Sequence, residues 1–240
     1  VVEGDYAYLG HMSAPAGTTV VDISDRSNPH VVASIPMPAN THSHKVRVEN
    51  GLMITNHERL SGPQSEGFMG GLGIYDISDP KNPRKICQWE TAGKGVHRFD
   101  FDGRYAYISP TVEGYIGNIV MILDLKDPAR PEEVGRWWMP GQWAAGGEKI
   151  NPAWDREPRC HHPLRLGDRL YVSYWHAGFV ILGIEDMSKP RFISGLDWSP
   201  PFPWPTHTTL PIPFPIQGRR VMLVADEDVA QAYPSSPSFL

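Results

Sequence analysis

Polar and apolar residues alternate through His44-Lys45-Val46-Arg47-Val48-Glu49, the spacing of a half-buried strand. Asn50-Gly51 follows, a pair that supplies the positive φ angles of a tight type I′ hairpin. Residues 52–57 then read as the returning strand, which sets His44 opposite His57. A glycine-rich loop over 61–73 leads to a third strand at 74–78, and the turn Asp79-Pro80-Lys81-Asn82-Pro83 leads to a fourth at 84–90. Four antiparallel strands in sequence make one propeller blade. The same plan returns at 96–101, 105–110, 119–125 and 133–139, and again at 162–166, 170–175, 180–184 and 191–197.

The third strand and its turn are nearly verbatim repeats. Val20-Val21-Asp22-Ile23-Ser24-Asp25 returns as Ile74-Tyr75-Asp76-Ile77-Ser78-Asp79, then as Ile122-Leu123-Asp124-Leu125-Lys126-Asp127, and in worn form as Ile181-Leu182-Gly183-Ile184-Glu185-Asp186. The aspartates lie 54 and 48 residues apart, and Gly183 follows after 59. A period of this length built from short strands predicts an all-β fold, a β-propeller of four-stranded antiparallel blades. One propeller domain is expected over 1–240, with a partial blade at 1–38, blades at 39–92, 93–140 and 160–198, and a partial blade at 205–240. Its signature strand should begin at Ser235–Leu240. Both ends cut a blade, so the chain reads as part of a longer ring of about seven blades, or as a small ring closed by its termini.

Gly73-Ile74-Tyr75-Asp76-Ile77-Ser78-Asp79-Pro80-Lys81-Asn82-Pro83 resembles the repeat that defines LVIVD-repeat propellers, and the likeness runs through nearly the whole chain. Leu170-Tyr171-Val172-Ser173-Tyr174-Trp175-His176-Ala177-Gly178 is similar to a segment of the selenium-binding-protein and methanethiol-oxidase group. That resemblance implies a propeller and copper-dependent oxidation at histidines. The cysteine motifs of that group are absent, so its specific activity does not carry over.

Composition narrows the function classes. A formal net charge of −5 offers no basic stripe for nucleic acid, and no apolar run approaches the ~18 residues that span a bilayer. Cys87 and Cys160 make neither a disulfide framework nor a CxxC pair. The 24 prolines and 23 glycines suit a turn-rich β fold. The compartment, cytoplasmic or periplasmic, stays open.

Nine of the ten histidines follow the blades, and only His30, in an Asp-Pro-type turn, falls outside the pattern. The first strand opens with His42 and His44, with His97, with His161 and His162, and with His207; the second ends at His11, His57 and His176. Both positions fall at one end of a propeller. One histidine at a strand end ordinarily satisfies a turn, but recurrence in four blades predicts a ring of imidazoles around the axis. Such a ring would suit one transition metal ion per chain, whether copper, iron, zinc or manganese. The expected ligands are His44, His97, His162 and His207. His42 shares a strand face with His44 and is an alternative to it, whereas His161 and His162 face opposite ways, so only one of that pair should reach the axis. Glu58, Glu113 and Glu227, with Asp226, lie near the ends of second strands as candidate acid–base or orienting groups. His57 and His176 are candidates for substrate contact or proton transfer.

Two long connections, 137–159 and 198–215, carry Trp137, Trp138, Trp143, Trp154, Trp198, Phe202, Trp204 and Phe214. They predict a lid over an apolar pocket for a small apolar or aromatic substrate, or a homo-oligomer contact. Asp100-Phe101-Asp102-Gly103 lacks an EF-hand's twelfth ligand, and the 67–73 glycines lack the helix and lysine of a phosphate loop. The expected function is a metal-dependent oxidoreductase. The alternatives are a hydrolase or lyase on the same site, and a non-catalytic scaffold for protein or surface interactions.

Overall fold

In a computed structural model the described residues, 1–59, 66–152, 154, 156–198 and 204–227, are all-β, with one 3₁₀ turn at Ala144–Gly146 and no α-helix. The first sheet has the order β1 (Val2–Glu3), β2 (Tyr6–Gly10), β3 (Ala16–Asp22) and β4 (His30–Pro36). The second holds β5 (Thr41–His42) and β6 (Val46–Glu49), both on β7 (Leu52–Arg59), then β8 (Gly71–Asp76) and β9 (Arg84–Glu90). The third runs β10 (Val96–Phe101), β11 (Tyr105–Pro110), β12 (Val120–Asp124) and β13 (Glu132–Trp137). The fourth runs β14 (Arg159–Leu166), β15 (Arg169–Trp175), β16 (Phe179–Gly183) and β17 (Arg191–Leu196), and β18 (Thr206–Pro211) pairs with β19 (Met222–Asp226). The expected strand at Ser235–Leu240 lies outside the described residues.

The sequence pattern explains this order. Asn50 and Gly51 take φ of 55° and 74°, closing the β6–β7 hairpin as its dipeptide requires. The third strands of the second and third sheets are largely buried, which suits their apolar sequences: Leu72 and Ile74 on β8, and Val120 and Ile122 on β12, are fully buried. The recurring aspartates are turn devices. Oδ1 of Asp22, Asp76 and Asp124 accepts the backbone N–H two residues on, at 3.0, 2.9 and 2.8 Å, and Asp25, Asp79, Asp127 and Asp186 each do so at 3.0 Å. These Asx turns end the third strand and start the fourth, so the repeated phrase encodes architecture rather than chemistry.

The chain divides into two compact units, Val1–Ala106 with Leu123–Glu132, and Tyr107–Ile122 with Glu133–Leu240. In the first unit Tyr8, Val20, Val46, Val48, Met53, Tyr75 and Ile77 form one cluster that joins the first two sheets. In the second, Tyr107, Ile119, Leu170, Val172, Tyr174 and Leu182 are buried, and Trp137 meets the Tyr174 ring edge-on at 5.8 Å.

The second unit is tied by one side chain. Gln142, fully buried, accepts from the Met139 N–H at 2.9 Å and the Tyr174 hydroxyl at 2.8 Å. Its Nε2 donates to the carbonyls of Ile116, Asn118 and Pro158 at 2.8, 3.0 and 3.1 Å. The long connection after β13 is thus anchored to the sheets by an amide that satisfies buried backbone groups from three segments.

Candidate functional site

Successive residues of β7 leave opposite faces of the sheet, so Glu58 and His57 serve different surroundings. Glu58 faces two imidazoles: its Oε2 lies 2.6 Å from His97 Nδ1 and 3.3 Å from His42 Nδ1. The His44 ring stacks on His42 at 3.9 Å between centroids and lies 5.2 Å from His97. Three imidazoles and one carboxylate therefore converge within the first unit.

A β-bulge builds this convergence. β5 pairs His42 with Glu58 while β6 pairs Val46 with Thr55, so Ser43, His44 and Lys45 oppose only Asn56 and His57. The extra residue breaks the strict alternation and brings His44 onto His42, where an unbroken hairpin would have set it against His57. Bulges of this kind re-aim side chains, and here the re-aimed side chain is an imidazole.

The electrostatics suit a metal. Burial, then the charges of His42 and His97, lower the His44 pKa to about 2, so its ring is neutral at physiological pH. Both ring nitrogens of His44 are shut off from solvent with no hydrogen-bond partner among the described residues. Leaving such a group unpaired costs about 1–3 kcal/mol, and a metal ion would take up the lone pair. Burial pushes the Glu58 carboxyl up, but the hydrogen bonds from His42 and His97 outweigh it and hold it at about 2, so it is ionised. An ionised carboxylate accepting both Nδ1–H groups would leave each Nε2 as the ligating nitrogen. Met12 Sδ lies 3.2 Å from His42 Nε2, a soft thioether at the same place.

Asn56 holds the backbone beneath these rings. Fully buried, it accepts the Lys45 N–H at 2.8 Å and donates to the carbonyls of Val96 and His97 at 3.0 and 2.9 Å.

The second unit repeats the construction. β14 pairs His162 with Ser173 and Cys160 with Tyr174, leaving His161 as the extra residue of a bulge. β18 pairs Thr206 with Asp226 and Thr208 with Ala225, leaving His207 in the same position. The two rings lie 4.6 Å apart, and their ligand atoms with that of Glu227 fall within 4.8 Å of one another, as do those of His42, Glu58 and His97. His161 Nδ1 lies 2.7 Å from the His207 carbonyl, which fixes its tautomer with Nε2 as the lone-pair nitrogen; His207 Nδ1 lies 2.7 Å from Thr208 Oγ1. Trp175 stacks on His161, and the Arg159 guanidinium lies 3.7 Å above Trp175. Ser173 Oγ donates to the His207 carbonyl at 2.8 Å and Ser109 Oγ to that of His161 at 3.2 Å. By register Ser173 holds the place of Asn56, opposite the residue that follows the bulged histidine.

Of the expected ligands, His44 and His97 meet in the first unit, while His207 meets His161 in the second. His162 is the residue after the bulge, its N–H on Ser173 Oγ at 3.2 Å. Glu58 and Glu227 each join a group, whereas Glu113 is exposed in a turn. His57 faces Thr55 and Gln88 instead, at 3.1 and 3.0 Å, and burial followed by the Lys85 charge lowers its pKa to about 4. His176 sits buried at φ 59° in the turn after β15. In the long connections Trp154 donates to Asp197 and Trp198 to Asp226, each at 3.2 Å. Phe202 lies outside the described residues. Sequence reasoning missed Asn56, Ser109 and Ser173. Their only signal is a small polar residue inside an apolar second strand.

Comparison with known proteins places this geometry in a fold. The LVIVD repeat matches residues 1–35. The periplasmic gluconolactonase of Pseudomonas aeruginosa is similar in structure at a TM-score of 0.63 and 16% identity, over 93% of this chain and 60% of that one. A hypothetical selenium-binding protein from Sulfolobus tokodaii is similar at 0.56 and 12%, over 93% and 56%. A computationally designed protein is similar at 0.56 and 6% over 94% of this chain and 53% of its own, so the likeness speaks for the fold and not for an activity. The chain spans about six-tenths of the length of the gluconolactonase it matches. No curated protein sequence matches it significantly. The chain is an all-β protein of the β-propeller class that carries the LVIVD repeat.

Proposed function

We propose that the protein is a metal-dependent enzyme, an oxidoreductase acting on a small apolar or aromatic molecule. The observation that carries this reading is His44: a neutral, half-buried imidazole beside two others and an ionised carboxylate, with both ring nitrogens shut off from solvent and unsatisfied. His42, His44 and His97 would hold the metal, and Glu58 would orient His42 and His97 through their Nδ1–H groups. His161 and His207 with Glu227 form the corresponding donor set in the second unit. A redox-active ion held there would supply one-electron chemistry, and the thioether of Met12 favours a soft metal such as copper. The imidazole-rich, carboxylate-poor donor set argues against magnesium or calcium, which need oxygen ligands.

The test is titration of metal-free protein with copper and zinc, followed by calorimetry and thermal melting. Tight uptake should raise the melting temperature by mass action. Glu58→Gln should weaken affinity about 10- to 100-fold, as loss of an orienting carboxylate does, and His97→Ala should abolish binding in the first unit. Unchanged affinity in both variants would refute the assignment. Metal-loaded protein that oxidises no small alcohol, thiol or aldehyde would shift the reading to Lewis-acid hydrolysis.

A further inference from the structure

β7 sends Glu58 to the histidine cluster and His57 to the other face, into a pocket of about 350 Å³. This pocket lies wholly in the first unit. Its apolar lining includes Ile35, Pro36, Met37, Met69 and Tyr75. Its polar lining is ordered. Lys85 Nζ donates to Gln88 Oε1 at 2.9 Å, and Gln88 Nε2 donates to His57 Nδ1 at 3.0 Å. The His57 Nε2–H therefore points to Thr55 Oγ1, 3.1 Å away. The relay uses one ammonium proton of Lys85 and leaves its charge at the pocket rim. No carboxylate is among the described residues that line the pocket, so Lys85 is its one formal charge.

An apolar wall, a single cation and a fixed amide are the features of a site for a small organic anion. The two methionines suit bodies of varied shape, since thioether side chains adapt to what they contact. We propose that this pocket binds a small monocarboxylate with a short apolar or aromatic body, the carboxylate on Lys85 and the body against Met37, Met69 and Tyr75. The site is separate from the metal reading, because its residues face away from His42, Glu58 and His97.

Calorimetric titration with phenylacetate and with its uncharged analogue 2-phenylethanol tests this. Wild-type protein should bind phenylacetate at least about ten-fold more tightly than the alcohol, the difference a charge-assisted hydrogen bond makes. Lys85→Met should lose about ten-fold for phenylacetate alone. Met37→Trp, which fills the pocket, should abolish binding of both. His97→Ala should bind phenylacetate like wild type, which separates the pocket from any carboxylate bound at a metal. Thermal melts of each variant establish folding, and Lys85 is exposed on its strand, so its replacement leaves the core intact. Absent binding at millimolar phenylacetate, equal affinity for acid and alcohol, or loss in His97→Ala with retention in Lys85→Met would each overturn the proposal.

Discussion

Replacement of Asn56 by leucine isolates the polar frame beneath the histidine cluster. Leucine keeps the branching and heavy-atom count of asparagine with no hydrogen-bonding group, so the change removes the hydrogen bonds, with a smaller packing cost from its bulkier methyl groups. Three are lost, to the Lys45 N–H and to the carbonyls of Val96 and His97, and Asn56 is fully buried. Each backbone group deprived of its partner inside the protein costs about 1–3 kcal/mol, so the total is about 3–9 kcal/mol. That is a large part of the ~5–15 kcal/mol that stabilises a typical domain. Serine, the residue at the equivalent position 173, can accept one N–H and donate to one carbonyl, so Asn56→Ser should recover about half of the loss. Urea unfolding followed by tryptophan fluorescence gives the ranking directly. Wild type should be most stable, then Asn56→Ser, then Asn56→Leu. A leucine variant within about 1 kcal/mol of wild type would refute the claim that this amide braces the site.

Gln142→Leu should cost at least as much, since it strands the Met139 N–H, the Tyr174 hydroxyl and the carbonyls of Ile116 and Pro158, while the Asn118 carbonyl keeps the Cys160 N–H; thermal melting of the variant reads this. Two glycines at left-handed φ should separate strain from clash. Gly178 has φ 66° and a Cβ there would lie 1.9 Å from the Leu196 carbonyl oxygen, whereas Gly167 has φ 62° and open space. Gly167→Ala should cost about 1 kcal/mol and Gly178→Ala clearly more, by the same melts. The Glu58 pKa is depressed from 4.5 to about 2, so its contribution is present above pH 4.5 and is lost as pH falls towards 2. The stability gap between wild type and Glu58→Gln should shrink over that interval in acid titrations followed by circular dichroism.

Much of the fold is legible in the sequence because its signals are local. The alternation over 46–49, the Asn50-Gly51 turn and the aspartate cassettes each act over a few residues and form as their chemistry requires, whereas His44 and Lys45, expected in the same strand, fall in the bulge. The histidines are legible as a set, because recurrence at one place in four blades is visible without coordinates. Which histidine of each pair turns inward is not legible, because it depends on bulges. The pairing of His42 with Glu58 and the extra residue at His161 follow from registers fixed by the whole hairpin, and a one-residue shift reverses the face of every side chain beyond it. Strict alternation therefore sets His44 against His57, whereas the bulge sends His57 to Gln88 and Lys85. The roles of Asn56, Ser109 and Ser173 stay hidden for a different reason. Their partners are backbone carbonyls 34 to 52 residues away in sequence, and a carbonyl leaves no mark on residue type.

Elemental analysis of protein purified without a histidine tag, wild type beside the His42→Ala/His97→Ala double variant, bears most directly on the metal centre. The account predicts a first-row transition metal in the wild type and about one equivalent less per chain in the folded double variant. Wild-type protein that holds no metal and takes up none on titration, or a double variant with full metal content, would contradict it.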